Sequence, residues 1–146
     1  MKSVELPSKV VGQRALLVGL FGSLGLLATH HAFAKDYYVA TTGSDSNPGT
    51  VDQPFATLQK GHDVAVAGDT VYIRGGTYRI VTPAASSAGI RITKSGTSDT
   101  NRIKFWAYPG EIPVFDFSGM TISTTGYTNG IVVTGSWLHF KGLEVC

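Results

Sequence analysis

The chain has 146 residues, a net charge of +2 and a hydrophobic content of 42%, which excludes a disordered protein and more than one ordinary domain. Its 12 Lys and Arg residues form no basic run, which excludes a strong nucleic-acid-binding surface. The single cysteine, Cys146, excludes an internal disulfide framework and a zinc cluster built on several cysteines.

Residues 1–34 have the pattern of a secretory signal peptide. A basic region precedes 14 uncharged, mostly apolar residues between Ala15 and Ala28. The small-x-small pattern of Ala32-Phe33-Ala34 predicts cleavage before Lys35. An uncleaved membrane anchor is the alternative, but a spanning helix needs about 20 apolar residues. We therefore expect a secreted or periplasmic protein without a membrane anchor, whose mature chain is neutral, with 9 basic and 9 acidic residues.

The first half of the mature chain combines short strands with one helix. Asp36–Ala40 is a brief β-type run, and the Gly, Ser, Asn and Pro residues of 41–50 predict a turn segment. An amphipathic helix is predicted from Phe55 to Val66, and its buried face consists of Phe55, Leu58, His62 and Ala65. Val71–Arg74 then predicts a strand, which Gly75-Gly76 follows.

Beyond these glycines, apolar runs of three to seven residues alternate with turn residues, without any further helical pattern. The runs form two similar triplets, whose corresponding members lie about 30 to 41 residues apart. The first triplet is 89–92, 102–108 and 113–117, and the second is 130–133, 136–142 and 143–145. Three short strands per period are typical of a parallel β-helix, in which each coil adds one strand to each of three sheets.

We therefore predict an all-β protein, a parallel β-helix whose first coil is covered by the N-terminal capping helix. An antiparallel sandwich is the alternative, but tight Asn-Gly or Asp-Gly hairpins are absent apart from Asn129-Gly130. The last residues, Glu144–Cys146, have the pattern of a strand without a cap. Residues 35–146 are thus predicted to form the cap and first coils of a solenoid that is incomplete at its C-terminus.

The acidic residues of the mature chain show no metal-binding motif, because no Asp-x-Asp or Asp-Asp pair occurs. Asp45 begins a segment that loosely resembles a calcium loop. Gly49 and Thr50 occupy the positions of a ligand and of the loop glycine, however, which favours an Asx-type turn. Asp69 is predicted to cap the turn into the next strand, and Asp116 to face outward from its strand.

Five residues of the later strands are candidates for sugar contacts. Trp106 and Tyr108 share one strand face and could stack on sugar rings, but such residues more often form the core between coils, which is the role predicted here. His139 is predicted to face outward as a surface residue. Lys104 and Lys141 occupy comparable strand positions and could form a weak basic stripe for an anionic sugar.

The run Tyr37–Arg79 (YYVATTGSDSNPGTVDQPFATLQKGHDVAVAGDTVYIRGGTYR) resembles the cap and first coil of secreted right-handed β-helix proteins, in particular the pectate lyases of polysaccharide lyase family 9. Ser95–Gly119 resembles the next coil, and Gly135–Val145 the coil after it. Gly61-His62 departs from the small-apolar pair expected in the cap helix, which predicts looser packing of that turn.

The resemblance implies a lyase that cleaves polygalacturonate (pectate) by β-elimination, with Ca²⁺ as cofactor. This reaction needs a base for the C5 proton and a cation beside the adjacent carboxylate. No position of this sequence matches the calcium ligands or the base of the family, so we assign no catalytic, cofactor-binding or metal residue. We expect this N-terminal portion to be inactive alone and the complete protein to be a monomer. A non-catalytic, adhesin-type carbohydrate binder and a lyase for alginate or chondroitin are the alternative interpretations.

Overall fold

A computed structural model describes residues 33–81, 88–121 and 128–146, so the predicted signal peptide lies outside the described residues except for its last two positions. The described residues form one helix, α1 (Leu58–Val64), and nine short strands. The strands are β1 (Asp36–Val39), β2 (Thr70–Ile73), β3 (Gly76–Arg79), β4 (Ala88–Ile92), β5 (Ile103–Ala107), β6 (Pro113–Asp116), β7 (Asn129–Val133), β8 (Leu138–Lys141) and β9 (Glu144–Val145).

All pairings between these strands are parallel, and they form three sheets. Sheet A has the order β1-β2-β5-β8, sheet B the order β3-β6-β9, and sheet C pairs β4 with β7. The two predicted triplets are therefore successive coils, because each member of the first pairs with its counterpart in the second. The parallel β-helix is confirmed, and the antiparallel sandwich is excluded for the described residues.

The interior of the solenoid is filled by side chains that stack from one coil to the next. In sheet A, the inward positions Val71, Phe105 and Phe140 are register partners, and the last two rings stack at 5.2 Å. In sheet B, Tyr78 and Phe115 also stack, with ring centroids 5.2 Å apart. Phe105 and Phe115 are fully buried, and burial of such a side chain contributes about 1.5–3 kcal/mol.

Strand β3 was not predicted from the sequence, which indicated only a strand ending at Arg74 with two glycines after it. Its four residues contain a single buried side chain, Tyr78. A strand with one inward residue shows no alternation, and a glycine at its start is unfavourable for a strand. The pairing of β3 with β6 therefore comes from the neighbouring coil rather than from a local pattern.

Helix α1 covers the N-terminal end of the solenoid, packing against β1, β2 and β4, as the predicted cap should. The helix is shorter than the predicted range of 55–66. Phe55 lies outside it because its backbone joins sheet A, with Phe55 N–H donating to Tyr38 C=O at 2.8 Å. The helix begins after Thr57, whose hydroxyl accepts a hydrogen bond from Lys60 N–H as an N-cap. The predicted buried face is confirmed, because all four of its residues are buried.

The predicted looseness at Gly61-His62 is wrong. Gly61 lies so close to sheet A that an added Cβ would be 2.7 Å from Val71 Cγ1. The His62 side chain is 3% exposed, and its Nε2 accepts hydrogen bonds from the backbone N–H groups of Thr93 and Lys94. Gly61 lets this turn of α1 pack closely against sheet A, and the hydrogen bonds of His62 hold the turn in place.

The apolar side chains become more exposed with distance from the cap helix along the solenoid. Val133, Phe140 and Val145, all in the last described coil, are 48%, 39% and 62% exposed. No helix among the described residues is long and apolar enough to cross a membrane.

Candidate functional site

The outward-facing side of sheet A carries a row of aromatic side chains. The parallel register places Tyr38 beside Tyr72, Tyr72 beside Trp106, and Trp106 beside Lys141. The Tyr38 and Tyr72 rings stack at 5.6 Å, and the Trp106 ring meets Tyr72 edge-on at 6.3 Å. Tyr108, just after β5, lies 6.0 Å from the Tyr72 ring. We call Tyr38, Tyr72, Trp106 and Tyr108 the outer aromatic face.

These four side chains are partly exposed, so the prediction that Trp106 and Tyr108 belong to the core is wrong. The inward positions of β5 are Ile103 and Phe105, which are fully buried, and strand alternation then directs Trp106 to the other side. Aromatic residues at equivalent positions of successive coils can stack on each other both in the core and on the outer surface of a solenoid, so their spacing alone does not show which side they occupy. The sequence could not distinguish the two sides because both faces of β5 carry a large aromatic side chain.

Two lysines flank Trp106. Lys104 Nζ lies 5.7 Å and Lys141 Nζ 5.5 Å from the centroid of the Trp106 ring, within the range of cation–π contacts. The predicted basic stripe is therefore on the outer face, but the two lysines are not register partners. Lys104 pairs with His139, and Lys141 pairs with Trp106. Neither lysine forms an ion pair within the described part of the chain.

His139 faces outward, as predicted, and takes part in the same surface. Its Nδ1 accepts a hydrogen bond of 3.2 Å from Trp106 Nε1, and the two rings meet at 90° with centroids 5.5 Å apart. Because Nδ1 acts as the acceptor, the neutral ring carries its proton on Nε2. His139 thus fixes the orientation of the Trp106 ring on the surface.

A salt bridge closes the side of the outer aromatic face next to the turn into sheet B. Arg74 Nη2 lies 2.8 Å from Glu111 Oε1, and the Arg74 guanidinium lies 4.6 Å from the centroid of the Tyr108 ring. Hydrogen bonds from Arg74 and from Gly75 N–H lower the pKa of Glu111, and the bond to Glu111 raises the pKa of Arg74. This pair joins consecutive coils and keeps Arg74 over the Tyr108 ring.

An open groove of 580 Å³ runs beside this face, along the turns that connect sheets A and B. Its lining includes Tyr72, Trp106 and Tyr108 of the outer aromatic face, together with Lys141 and the residues from Gly142 to Glu144. Apolar walls with a few polar groups are typical of ligand grooves. The groove and the outer aromatic face together are the candidate functional site.

The acidic candidates are occupied by interactions within the protein. Asp45 does not form the predicted Asx turn. Its Oδ1 accepts hydrogen bonds from Ala56 N–H and Thr57 N–H, and its Oδ2 accepts one from the Thr57 hydroxyl at 2.8 Å. The local turn is formed instead by Ser44, whose Oγ accepts a bond from Ser46 N–H. Asp45 thus supports the start of α1.

Asp69 caps its turn as predicted, because its Oδ2 accepts a hydrogen bond of 2.9 Å from Val66 N–H. Asp116 is partly exposed, in agreement with the prediction that it faces outward. Its Oδ1 accepts a hydrogen bond of 2.8 Å from Ser118 N–H. Hydrogen bonds from Ser118 lower the pKa of Asp116.

No three His, Cys, Asp or Glu residues within 33–81, 88–121 and 128–146 lie close enough together to hold a metal ion. Calcium prefers six to eight oxygen ligands, of which several are carboxylates. The described residues therefore do not fit the Ca²⁺ that the family resemblance implies, and no step through calcium is assigned to them.

Tyr38 and Tyr72 were not recognised as site residues from the sequence. Their signal is a constant spacing, because Tyr38, Tyr72 and Trp106 follow one another at intervals of 34 residues. That interval equals one coil in sheet A, so the three positions share a face.

The comparisons with known proteins agree with this architecture. A pectate lyase, PEL9 of Emericella nidulans, is 45% identical over 57% of this chain and 18% of its own length. Pectate lyase L of Paenibacillus polymyxa is 36% identical over 77% of this chain and 23% of its own length. The chain therefore spans about a fifth of these relatives.

Two solved structures are also similar. A rhamnogalacturonan lyase matches with a TM-score of 0.64 and 39% identity, over 77% of this chain and 28% of that one. The crystal structure of pectate lyase Pel9A matches with a TM-score of 0.61 and 30% identity, over 75% of this chain and 27% of that one. The family model described as "Pel9A-like, right handed beta helix region" matches residues 37–146. The chain therefore belongs to the Pel9A-like right-handed β-helix family.

Proposed function

We propose that this chain is the N-terminal portion of a secreted polysaccharide lyase that cleaves an acidic pectic polysaccharide by calcium-assisted β-elimination. The observation that carries the proposal is the family match over residues 37–146, together with the identity to pectate lyases. Because the described residues hold no group that fits calcium, we propose that the cleavage chemistry belongs to other coils.

In this proposal the outer aromatic face contributes binding rather than chemistry. The faces of pyranose rings carry C–H groups that pack on aromatic rings, and uronate carboxylates attract cations. The described surface offers both, because Lys104 and Lys141 lie close to the Trp106 ring without an acidic partner. Arg74 is less available, since Glu111 neutralises it.

The direction of the aromatic row also suits a polymer. Tyr38, Tyr72 and Trp106 come from three consecutive strands of sheet A, so the row runs along the axis of the solenoid. Neighbouring strands lie about 4.8 Å apart, which is close to the length of one sugar in an extended chain. A polysaccharide lying along this axis could therefore place successive sugars against successive aromatic side chains.

The test uses the exported chain and polygalacturonate in the presence of Ca²⁺. Unsaturated products absorb in the ultraviolet, and we expect none from this chain alone, whereas the complete protein should form them. Measurable turnover by the 146-residue chain would show that the cleavage chemistry is inside it and would overturn that part of the proposal.

Binding is measured separately by retardation in gels that contain polygalacturonate. Trp106→Ala should weaken retention by about 2- to 12-fold, which corresponds to the 0.5–1.5 kcal/mol of an aromatic contact. Trp137→Ala is the matched control, because Trp137 is also exposed but is absent from the outer aromatic face. Equal effects of the two substitutions would contradict the assignment of the surface.

A non-catalytic carbohydrate binder is the second candidate. It is favoured by the combination of an exposed aromatic row with the lack of a metal-fitting cluster in the described coils. A panel of polygalacturonate, rhamnogalacturonan, alginate and chondroitin on the complete protein separates the candidates. Binding without unsaturated products on any of them would favour the second candidate.

A further inference from the structure

The backbone of Lys35 is held by two consecutive residues at the start of β2. Lys35 N–H donates a hydrogen bond of 2.8 Å to Asp69 Oδ1, and Lys35 C=O accepts one of 2.8 Å from Thr70 N–H. Asp69 is only 2% exposed, and its other carboxylate oxygen accepts a bond from Val66 N–H. The nitrogen of Lys35 is therefore fixed against one oxygen of a buried carboxylate.

The charge of this carboxylate lacks a counterpart. No described Lys, Arg or His side chain lies within ion-pair distance of Asp69, and both of its oxygens are bound only by backbone N–H groups. Buried aspartates are rare unless they are paired, because removing an unpaired charge from water costs several kcal/mol. Both oxygens of Asp69 thus have hydrogen-bond donors, but no described cationic side chain neutralises the carboxylate.

The sequence places a cleavage site at the same nitrogen, because Ala32-Phe33-Ala34 precedes Lys35. Phe33 is 91% exposed, and Ala34 and Lys35 are exposed too. Hydrolysis of the Ala34–Lys35 peptide bond adds the hydroxyl of water to the Ala34 carbonyl carbon and a hydrogen to the Lys35 nitrogen. The resulting α-amine, whose ordinary pKa is about 7.7–8.0, takes up a further proton near neutral pH.

We propose that Lys35 becomes the N-terminus of the mature protein and that its α-ammonium group forms an ion pair with the buried carboxylate of Asp69. Cleavage replaces a neutral N–H donor by a charged one at the same position, and a charge-assisted hydrogen bond is about twice as strong as a neutral one. The bond between Lys35 C=O and Thr70 N–H keeps the new terminus in register with β2. Removal of the leader thus supplies the charge that the fold of the cap requires.

The first test is the mass of the protein recovered after export of the full chain from a secretion host. We expect a chain that begins at Lys35. A mature N-terminus at any other residue would overturn the proposal. This result does not depend on whether the protein cleaves or binds a polysaccharide, so it is independent of the proposed function.

The second test is the reactivity of the terminal amine toward an acylating reagent at neutral pH, read for the N-terminal peptide by mass spectrometry. The control inserts one alanine between Ala34 and Lys35, which leaves the Ala32-Phe33-Ala34 pattern intact and moves the mature ammonium one residue away from Asp69. Only an unprotonated amine reacts, so the ion-paired amine should react about tenfold more slowly than that of the control. Both proteins should react equally in denaturant.

Asp69→Asn removes the charge and should raise the native reaction rate to that of the control with the inserted alanine. If Asp69→Asn does not fold, the comparison between the parent and the insertion variant still decides. Equal labelling rates of these two native proteins would show that the terminus is not paired and would refute the proposal.

Discussion

Substitution of Gly61 by alanine tests how closely the cap helix must approach the first coil. Alanine is favoured over glycine by about 0.8–1 kcal/mol in a helix, so propensity alone predicts stabilisation. In this structure the new Cβ would lie 2.7 Å from Val71 Cγ1 and 3.2 Å from Val39 Cγ2. Both neighbours are fully buried in sheet A and have no space to retreat.

The magnitudes favour destabilisation. Overpacking of a filled core costs about 1–3 kcal/mol, which exceeds the gain in helix propensity. We therefore expect Gly61→Ala to lower the free energy of unfolding by about 1–2 kcal/mol, as measured by urea denaturation of the exported protein. The slope of free energy against urea should be unchanged, because the surface exposed on unfolding is the same.

The control is the same substitution in a Val71→Ala background, which removes the methyl group nearest to the new Cβ. In that background the steric cost should fall, and Gly61→Ala should become neutral or stabilising by up to about 1 kcal/mol. Stabilisation of the parent protein by Gly61→Ala, or an equal cost in both backgrounds, would refute the inference that close packing requires this glycine.

Three further substitutions test individual interactions. Burial raises the pKa of Tyr78 from 10.0 to about 12, and its hydroxyl donates to Arg74 C=O at 2.8 Å. The raised pKa contributes about 3 kcal/mol to the free energy of unfolding below about pH 10, and this contribution is lost as the pH rises to 12. Urea unfolding of Tyr78→Phe should lack this pH dependence. The assignment would be contradicted if the free energy of unfolding fell equally with pH in the parent and in Tyr78→Phe. The lowered pKa of Glu111 gives the opposite pH dependence. Its contribution to the free energy of unfolding is present above the ordinary pKa of 4.5 and is lost as the pH falls through the lowered pKa. Glu111→Gln should cost up to about 1 kcal/mol at pH 7 and progressively less as the pH falls below 4.5 and through the lowered pKa, and a constant cost would argue against the ion pair. Asp45→Ala removes three hydrogen bonds at the start of α1 and should cost about 1–3 kcal/mol. Calcium should not change the unfolding temperature of the parent, whereas a rise that Asp45→Ala abolishes would indicate a calcium loop.

Much of the fold could be predicted from the sequence because its period is visible. The strands that carry two or three inward apolar residues, such as β4 and β5, were identified with small errors at their ends. Their counterparts β7 and β8 lie one coil later in the predicted order. In a repeat protein the same pattern of core positions recurs in each coil, so the strands identified in one coil support the identification of strands in the next.

The errors have local physical causes. The predicted helix was too long because Phe55 satisfies helical spacing, yet its backbone N–H donates to Tyr38 in β1 and its C=O accepts from Ala40, the residue after β1. The predicted roles of Trp106 and Tyr108 were wrong because aromatic residues occupy both faces of β5. In the first case, hydrogen bonds to another chain segment decided the outcome. In the second, the sequence pattern did not show which face of β5 lies inside the solenoid.

If the proposed function holds, the position of the outer aromatic face accounts for how a coil without cleavage chemistry would contribute to a polysaccharide enzyme. A parallel β-helix repeats the same outward position every coil, so one favourable side chain becomes a row when it recurs at the period of the solenoid. Tyr38, Tyr72 and Trp106 recur in this way, and Lys141 continues the row with a cation. Each ring alone would contribute about 0.5–1.5 kcal/mol to sugar binding, which is weak. Along one polymer chain the contributions of successive rings act together, because the first contact holds the next sugar close to the next ring. The same repeat that stacks the core therefore also aligns a surface along the direction in which a polysaccharide extends.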